Sequence, residues 1–310
     1  MKKCVIIMNP ESGKVKSLNS KKEFYDILRK HGYDVEIRYT KGPKDATRIV
    51  EELDDNTDLV ISAGGDGTLN EVVTGDLNRA KKLTLANLPM GTTNDVANMY
   101  GYTKNYQKNL ELLLNGVRKK VDVCYVDNTP FVYVACLGDY IDMAYNTPRD
   151  LKKKYGKTAY VLYGLRQLRN KIHRYQVKYK VDGKEHKGEY SFFFITNSSR
   201  VAGVDDIYYD VKMDDNMFEV ALANPKTKPD ILRMLVQVTM KDVKDVPGIT
   251  YYQTNDFEIE FLDRPKTSWC IDGEEYQSPN NTFHFSVNQK VKMLIPKTNA
   301  NKLFNNKEKI

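Results

Sequence analysis

The sequence predicts a chain of two domains, an α/β domain with a parallel sheet followed by an antiparallel β-sandwich. Three observations lead to this prediction. The chain has 310 residues, which is long for a single hydrophobic core. The part before Val121 alternates strand-like and helix-like stretches, whereas strand-like runs dominate after it. The pattern of predicted strands and helices changes over Val121–Asp127, and we place the domain boundary there.

The first part is expected to form βαβ units, since apolar strand-like runs alternate with stretches of helical periodicity. Its strands are predicted over Cys4–Met8, Asp34–Tyr39, Leu59–Ser62 and Leu83–Asn87. Its helices are predicted over Leu18–His31, Asp45–Glu52, Leu69–Leu77, Val96–Tyr100 and Tyr106–Asn115. Gly32 follows the first of these helices and suits its C-cap.

The second part is rich in strand-like runs with frequent Tyr and Phe, which favours an antiparallel sandwich or barrel. Strands are predicted over Val121–Val126, Phe131–Cys136, Tyr175–Val181, Tyr190–Thr196, Met217–Ala223, Asp256–Phe261, Thr282–Val287 and Val291–Ile295. Asp182-Gly183 is a hairpin signal. Helices are predicted over Arg149–His173, which is strongly basic, and over Lys228–Lys241.

Composition excludes several classes of protein. Apolar residues make up 41% and charged residues 29%, and the chain contains no run of 18 apolar residues, so no membrane-spanning helix is expected. The four cysteines have no zinc-type spacing, and three lie in strand-like runs. We therefore expect buried thiols and a cytoplasmic location. The net charge of +7 is modest for a protein that binds nucleic acid, but it suits an anionic substrate or membrane surface.

Two polar, glycine-rich turns carry most of the functional information. Gly64–Thr68 and Gly91–Asp95 each follow a predicted strand and precede a predicted helix. Glycines allow the backbone to approach phosphates and to adopt positive φ, and a helix N-terminus attracts anions. Thr68 is expected to cap its helix. Asp66 would repel phosphate, which indicates a Mg²⁺ ion or a water network between its carboxylate and the nucleotide. The alternative is a tight turn in which Asp66 makes local hydrogen bonds.

Neither of the common nucleotide-binding loops fits the sequence. Gly13-Lys14 is followed by Val15, so it is not a P-loop, and no Gly-x-Gly-x-x-Gly motif for a dinucleotide is present. The turn Asn9–Lys14 ends the first strand, and Thr40 ends the second, so both are expected at the edge of the sheet that carries the glycine turns.

Taken together, these motifs resemble the diacylglycerol kinase catalytic domain, in particular the soluble Gram-positive lipid kinases. The matching stretches are Asn9–Lys14, Gly64–Gly75 and Leu88–Ala97. NAD kinases share the Gly-Gly-Asp-Gly-Thr turn but are not expected to carry the second block. The resemblance implies a Rossmann-like α/β nucleotide domain over residues 1–124 and a lipid-binding β-sandwich over residues 125–288. It also implies a C-terminal segment, 289–310, that returns to the first domain.

The resemblance further implies that ATP is the co-substrate and assigns residues to it. The nucleotide-binding residues would be Asn9, Pro10, Glu11, Ser12, Gly13, Thr40, Gly65, Asp66, Gly67, Thr68, Leu69, Asn70, Glu71, Thr92 and Glu274.

The same resemblance makes Asp272 the general base that deprotonates the acceptor hydroxyl. From the residues alone, Asp272-Gly273 is better explained as a hairpin turn. For the metal, the resemblance implies Mg²⁺ bound by Asp215 and by the backbone carbonyls of Lys212 and Met217. A carboxylate–water–Mg²⁺ network would run through Asp66, Asp95 and Asp215. The family usually has glycine where this chain has Asn216, and asparagine tolerates positive φ nearly as well.

The expected activity is ATP-dependent phosphorylation of a lipid hydroxyl, with 1,2-diacylglycerol converted to phosphatidic acid. The alternatives are another lipid alcohol, such as phosphatidylglycerol or a sphingoid base, and a non-catalytic, nucleotide-sensing protein. An anionic membrane is the expected partner at the inner face of the membrane, with no nucleic acid, and relatives suggest a homodimer. The basic residues expected at the membrane surface are Lys152, Lys153, Lys154 and Lys157.

Overall fold

The computed structural model describes residues 1–13, 22–139, 172–201 and 203–305. The chain divides into two compact units. The first comprises Met1–Val123, Lys212–Asp215 and Gln289–Ile310, and the second comprises Cys124–Val211 and Asn216–Asn288. None of the described helices is long and apolar enough to cross a bilayer.

The elements are numbered here in chain order. The helices are α1 Lys22–Lys30, α2 Asp45–Glu51, α3 Asp66–Asn78, α4 Asp95–Met99, α5 Tyr106–Leu114, α6 Lys228–Gln237 and α7 Ala300–Leu303. The strands up to the middle of the chain are β1 Lys2–Met8, β2 Tyr33–Tyr39, β3 Thr57–Gly64, β4 Thr84–Pro89, β5 Val117–Val126, β6 Thr129–Phe131 and β7 Val134–Gly138. The later strands are β8 Tyr175–Val181, β9 Lys184–Tyr190, β10 Phe192–Thr196, β11 Phe218–Ala223, β12 Ile249–Thr254, β13 Asp256–Phe261, β14 Trp269–Ile271, β15 Glu274–Tyr276 and β16 Thr282–Ile295.

The first unit contains a parallel sheet in the order β2-β1-β3-β4-β16. Residues Lys292–Leu294 of β16 pair with β4, so the C-terminal part of the chain adds the fifth strand. The interior strand β1 is buried from Cys4 to Met8, as expected for a parallel strand covered on both faces. The sequence predicted all four strands β1 to β4. Gly32 adopts a φ of 82° after α1, as its predicted role as C-cap requires.

The second unit is a β-sandwich. One sheet is antiparallel with the order β12-β11-β10-β7-β14-β15, and its core side faces strands from a second antiparallel group, β13, β8, β9 and the first part of β16. Phe193 and Trp269 from the first sheet share one apolar core with Phe257, Phe261 and Phe285 from the second group. The predicted fold class, an α/β domain and an antiparallel sandwich, is confirmed.

Several boundaries in the second unit differ from the sequence prediction. The predicted strand Phe131–Cys136 is two strands, β6 and β7, because Val132 and Tyr133 turn their N–H groups to a carboxylate described below. The two predicted strands at the C-terminal end form one long strand, β16. Strand β9 was missed because its sequence, KEHKGEY, is polar and it lies at the end of the strand order. The predicted helix Arg149–His173 lies outside the described residues except for its last two.

All four cysteines are buried and free of disulfide bonds. Cys136 lies opposite Cys270 in the antiparallel register of β7 and β14. A hydrogen bond between these two thiols, together with burial, raises the pKa of Cys136.

Candidate functional site

The carboxyl ends of β1 and β3 form the point at which the strand order of the parallel sheet reverses. In open α/β sheets, ligands bind in the crevice at such a point. The turn after β1 is tied to β3, since Asn9 N donates a hydrogen bond of 3.1 Å to the carbonyl of Ala63. The end of β2 is tied to β1, since Thr40 N donates to the carbonyl of Met8 at 3.0 Å. Three of the predicted nucleotide-binding segments therefore meet at this edge.

The two glycine turns pack backbone against backbone. Met90 N and Gly91 N both donate to the carbonyl of Gly64, at 2.8 and 3.1 Å. A Cβ atom on Gly91 would lie 2.6 Å from the Cα of Gly65, and one on Gly64 would lie 2.3 Å from Thr68 Oγ1. Side chains at Gly64 and Gly91 are thus excluded by steric contact.

The prediction that the glycines of the first turn adopt positive φ is wrong. None of Gly64, Gly65 and Gly67 is in that region, and Gly65 is extended with a φ of −93°. The reason is that α3 begins at Asp66, earlier than the predicted Leu69, so that Gly67 is already helical. Steric contact with Thr68 explains glycine at Gly64, whereas a Cβ atom on Gly65 would make an ordinary contact of 3.6 Å with Gly91 Cα.

The N-terminus of α3 opens directly from this turn. Its N-cap is Gly65, which has no side chain to satisfy the N–H groups of the first turn. The prediction that Thr68 caps this helix is therefore wrong, because Thr68 lies inside it; its hydroxyl instead accepts a hydrogen bond of 3.2 Å from Asn9 Nδ2. A helix start with backbone N–H groups and a positive dipole end is a favourable place for a phosphate.

Two acidic residues near this helix start are bound to other helix N-termini. The Asp66 carboxylate, 9% exposed, accepts from Asp95 N at 2.9 Å and Val96 N at 3.2 Å, at the beginning of α4. The Glu71 carboxylate accepts from Lys44 N at 2.9 Å and Ala46 N at 3.0 Å, at the beginning of α2. These hydrogen bonds give each acid a structural role that the sequence analysis missed, because the partners are far away in the sequence.

The remaining residues predicted to bind nucleotide in the first unit lie in these turns or in the first turns of α3. Glu11 N donates to Asn9 Oδ1 at 2.9 Å and Ser12 N donates to the Asn9 carbonyl at 3.1 Å, which holds the turn that also contains Pro10 and Gly13. Thr92 is exposed in the second glycine turn, whereas Leu69 is buried within α3, beside Asn70.

The predicted metal loop, residues 212–217, is held at its first half by backbone hydrogen bonds. Met213 N donates to the carbonyl of Leu303 and Asp122 N donates to that of Met213, both at 2.8 Å. Lys290 Nζ lies 3.0 Å from an oxygen of buried Asp122 and 2.8 Å from the carbonyl of Asp214. This lysine was missed because it lies far along the chain, in β16.

Asn216 adopts a φ of 59°, so asparagine replaces glycine in the left-handed conformation as expected. Within the described ranges, no group of three or more His, Cys, Asp or Glu could hold a metal ion. The loop contributes one carboxylate, that of Asp215, and Mg²⁺ that enters with a nucleotide needs few protein ligands because it retains waters and phosphate oxygens.

In the second unit, Asp272 is both a turn residue and an anchored carboxylate. Asp272 and Gly273 form the two-residue hairpin turn between β14 and β15, with φ values of 48° and 103°. Asp272 is 3% exposed, and its carboxylate accepts three backbone hydrogen bonds, from Val132 N at 2.6 Å, Tyr133 N at 3.0 Å and Val134 N at 3.0 Å. Three N–H donors fix the carboxylate and stabilise its negative charge. Glu274 is exposed at the start of β15.

Known proteins resemble this chain both in sequence and in fold. The family model described as diacylglycerol kinase catalytic domain matches residues 3–126. A Bacillus subtilis protein named diacylglycerol kinase is 30% identical over 279 residues, which cover 88% of this chain and 90% of that protein. A Staphylococcus aureus protein of the same name is 28% identical over 274 residues, covering 88% and 86%. The crystal structure of a diacylglycerol kinase from Bacillus anthracis aligns with a TM-score of 0.77 at 24% identity, covering 96% of this chain and 99% of that one.

Proposed function

Because this chain belongs to the diacylglycerol kinase catalytic domain family of lipid kinases, we propose that its substrate is 1,2-diacylglycerol and its product phosphatidic acid. The γ-phosphoryl group of ATP is transferred to the free hydroxyl of the lipid. The proposal is supported by relatives named diacylglycerol kinase that match most of the chain. Phosphatidylglycerol and sphingoid bases are the alternative acceptors, since they also present a lipid hydroxyl.

The observation that carries the ATP part of the proposal is the pair of glycine turns that pack against each other where α3 begins. Phosphoryl transfer depends mainly on positioning and on stabilising negative charge. The N–H groups of the first turn of α3 and the turn containing Gly91 would bind the ATP phosphates without a side chain in the way. Asn9 and Thr68, whose side chains are hydrogen-bonded to each other, would border the same phosphates.

Asp272 is the proposed general base. As the lipid oxygen forms its bond to the γ-phosphorus and the bond between this phosphorus and the β–γ bridging oxygen breaks, the hydroxyl proton passes to the carboxylate and ADP leaves. The base must be held in place to do this, and the three backbone N–H donors on Asp272 supply that restraint.

Mg²⁺ is the proposed metal ion and would enter with ATP. The proposed ligands are the Asp215 carboxylate and the carbonyls of Lys212 and Met217, with a water network that includes Asp66 and Asp95. When bound, the ion would neutralise charge that accumulates on the phosphate oxygens. Independently of the ion, the Asp66 carboxylate holds the start of α4 and the Glu71 carboxylate holds the start of α2.

The proposed location is cytoplasmic and peripheral, at the inner face of the membrane, because diacylglycerol is insoluble in water. The lysines predicted at the membrane surface, Lys152, Lys153, Lys154 and Lys157, lie outside the described residues. A homodimer is the proposed assembly.

The decisive experiment is transfer of labelled phosphate from ATP in mixed micelles with Mg²⁺. Diacylglycerol, phosphatidylglycerol and sphingosine are supplied in parallel at the same surface concentration. Phosphatidic acid as the dominant product is expected. A different phosphorylated lipid would change the substrate and leave the phosphate site intact, whereas no transfer to any lipid would favour a nucleotide-sensing role.

A further inference from the structure

Helix α6 has a capped N-terminus but no buried residue. None of its residues from Lys228 to Gln237 is buried. Its start is locked by a capping box in which Thr227 Oγ1 accepts from Asp230 N and the Asp230 carboxylate accepts from Thr227 N at 2.9 Å. Pro229 in the first turn adds a preset φ. Local capping therefore stabilises the start of the helix, although none of its side chains is buried in the core.

The outward face of this helix is apolar. Leu232 is 38% exposed, Leu235 45% and Val236 50%, and Met240 in the turn that follows is 73% exposed. The inner side is marked by Met234, whose Cε would lie 2.5 Å from a Cβ atom on Gly248. A helix whose outer face is exposed to solvent normally carries polar residues on that face, whereas this one carries three aliphatic side chains there.

Basic residues flank this helix along the chain. Between Lys226 and Lys244 the chain has five basic residues and two acidic ones. Of the two acids, Asp230 belongs to the capping box and lies 3.7 Å from the Arg233 guanidinium, which is 71% exposed. Asp242 is buried, accepts from Tyr209 N and Lys244 N, and lies 3.6 Å from Lys244 Nζ. Lys228 and Lys241 are therefore cations of this stretch without an acid of the same stretch beside them. An exposed apolar stripe flanked by cations is the pattern of a helix that lies in the interface of an anionic bilayer. A symmetric contact with a second copy would instead bring the two sets of cations together.

We infer that Leu232, Leu235, Val236 and Met240 insert among the lipids of an anionic bilayer while Lys228, Arg233 and Lys241 contact its headgroups. This inference rests on the proposed lipid substrate for its biological purpose, but the binding itself is independent of catalysis. It adds a docking surface made of other residues than the lysines at 152–157, and this surface combines apolar insertion with charge.

The test is sedimentation of the full chain with vesicles of equal parts phosphatidylglycerol and phosphatidylcholine, without ATP or diacylglycerol. The variant Leu232→Gln/Val236→Gln is expected to bind at least about tenfold more weakly. The matched control Leu232→Met/Val236→Leu keeps the surface apolar and is expected to bind like the parent. The variant Lys228→Gln/Arg233→Gln is expected to lose about fivefold per cation at low salt and to bind no worse than the parent on pure phosphatidylcholine.

Kinase activity separates this inference from the proposed function. On a short-chain diacylglycerol dissolved as monomers, the glutamine variant should turn over like the parent, and on bilayer diacylglycerol it should be slower in proportion to its lost binding. Equal vesicle binding by parent and glutamine variant would overturn the inference, as would an absence of binding by the parent. A dimer that the glutamine variant converts to a monomer would also overturn it, because the face would then be an interface between copies.

Discussion

Replacing Asp272 by asparagine tests whether this carboxylate is a base, an anchor, or both. The side chain is 3% exposed, and its two oxygens accept N–H groups from Val132, Tyr133 and Val134. Asparagine suits the left-handed φ of 48° at this turn, so the backbone itself is not strained by the change. What changes is the charge and the hydrogen-bonding capacity of one of the two terminal atoms.

The expected loss of stability follows from these contacts. The amide oxygen can retain the bonds from Tyr133 and Val134, now without charge, while the amide nitrogen faces Val132 N, a donor against a donor. A hydrogen bond to a charged group contributes about 1 kcal/mol more than a neutral one, and a buried N–H without an acceptor costs about 1–3 kcal/mol. The sum is a destabilisation of about 4 kcal/mol, which lowers the melting temperature of the second unit by about 10 °C.

The assay can observe this unit directly, because the single tryptophan of the chain, Trp269, is buried in β14 next to the hairpin. Trp269 fluorescence during thermal unfolding measures stability, and kcat is measured at 25 °C, where the variant is folded. Loss of a general base should reduce kcat by about 100- to 10,000-fold. The control is Gly273→Ala, which strains the same turn at a φ of 103° without a steric contact and leaves the carboxylate in place.

Gly273→Ala should therefore melt at a lower temperature and keep its kcat within about threefold of the parent, since it retains the base. If Asp272→Asn retains kcat within tenfold of the parent, Asp272 is not the base. If its melting temperature is unchanged, the three backbone hydrogen bonds are not the anchor inferred from the geometry. If Gly273→Ala loses kcat to the same extent, distortion of the hairpin rather than loss of the carboxylate explains the effect.

The other predictions concern the glycine turns, a buried acid and the thiols. Gly91→Ala should destabilise the first unit and abolish ATP binding, because its Cβ would lie 2.6 Å from the Cα of Gly65; the reciprocal Gly65→Ala should fold, since its Cβ meets Gly91 Cα at an ordinary 3.6 Å. Calorimetric titration with ATP and thermal unfolding compare the pair, and equal stability of the two variants would contradict the steric argument. Burial raises the pKa of Asp76 in the folded protein. The stability that this residue contributes at low pH is therefore lost as the pH rises from the pKa of Asp76 in the unfolded chain to its higher pKa in the folded protein. In denaturant titrations over this acidic range, the free energy of unfolding of the parent should fall as the pH rises, relative to that of Asp76→Asn. The same pH dependence in both proteins would contradict the raised pKa. Finally, the four buried thiols should react with an aromatic disulfide reagent only in denaturant, and rapid reaction of the native protein would contradict their burial.

The sequence alone determined the first four strands of the parallel sheet and the position of the two glycine turns. Apolar runs such as Cys4–Met8 and the glycines of Gly64–Thr68 are local patterns, and local patterns specify local structure. Asp182-Gly183 and Asp272-Gly273 both form the hairpin turns that their residues favour, since the turn type depends on neighbouring φ angles.

Only the tertiary structure decided what the acidic residues contact. Asp66 and Asp272 were expected in turns and Glu71 in a helix, yet each accepts backbone N–H groups from a segment distant along the chain. The same holds for the steric need for Gly91, which exists because Gly65 lies against it. A buried charge is stable where donors converge on it, and convergence of distant segments is produced by the packing of the whole chain.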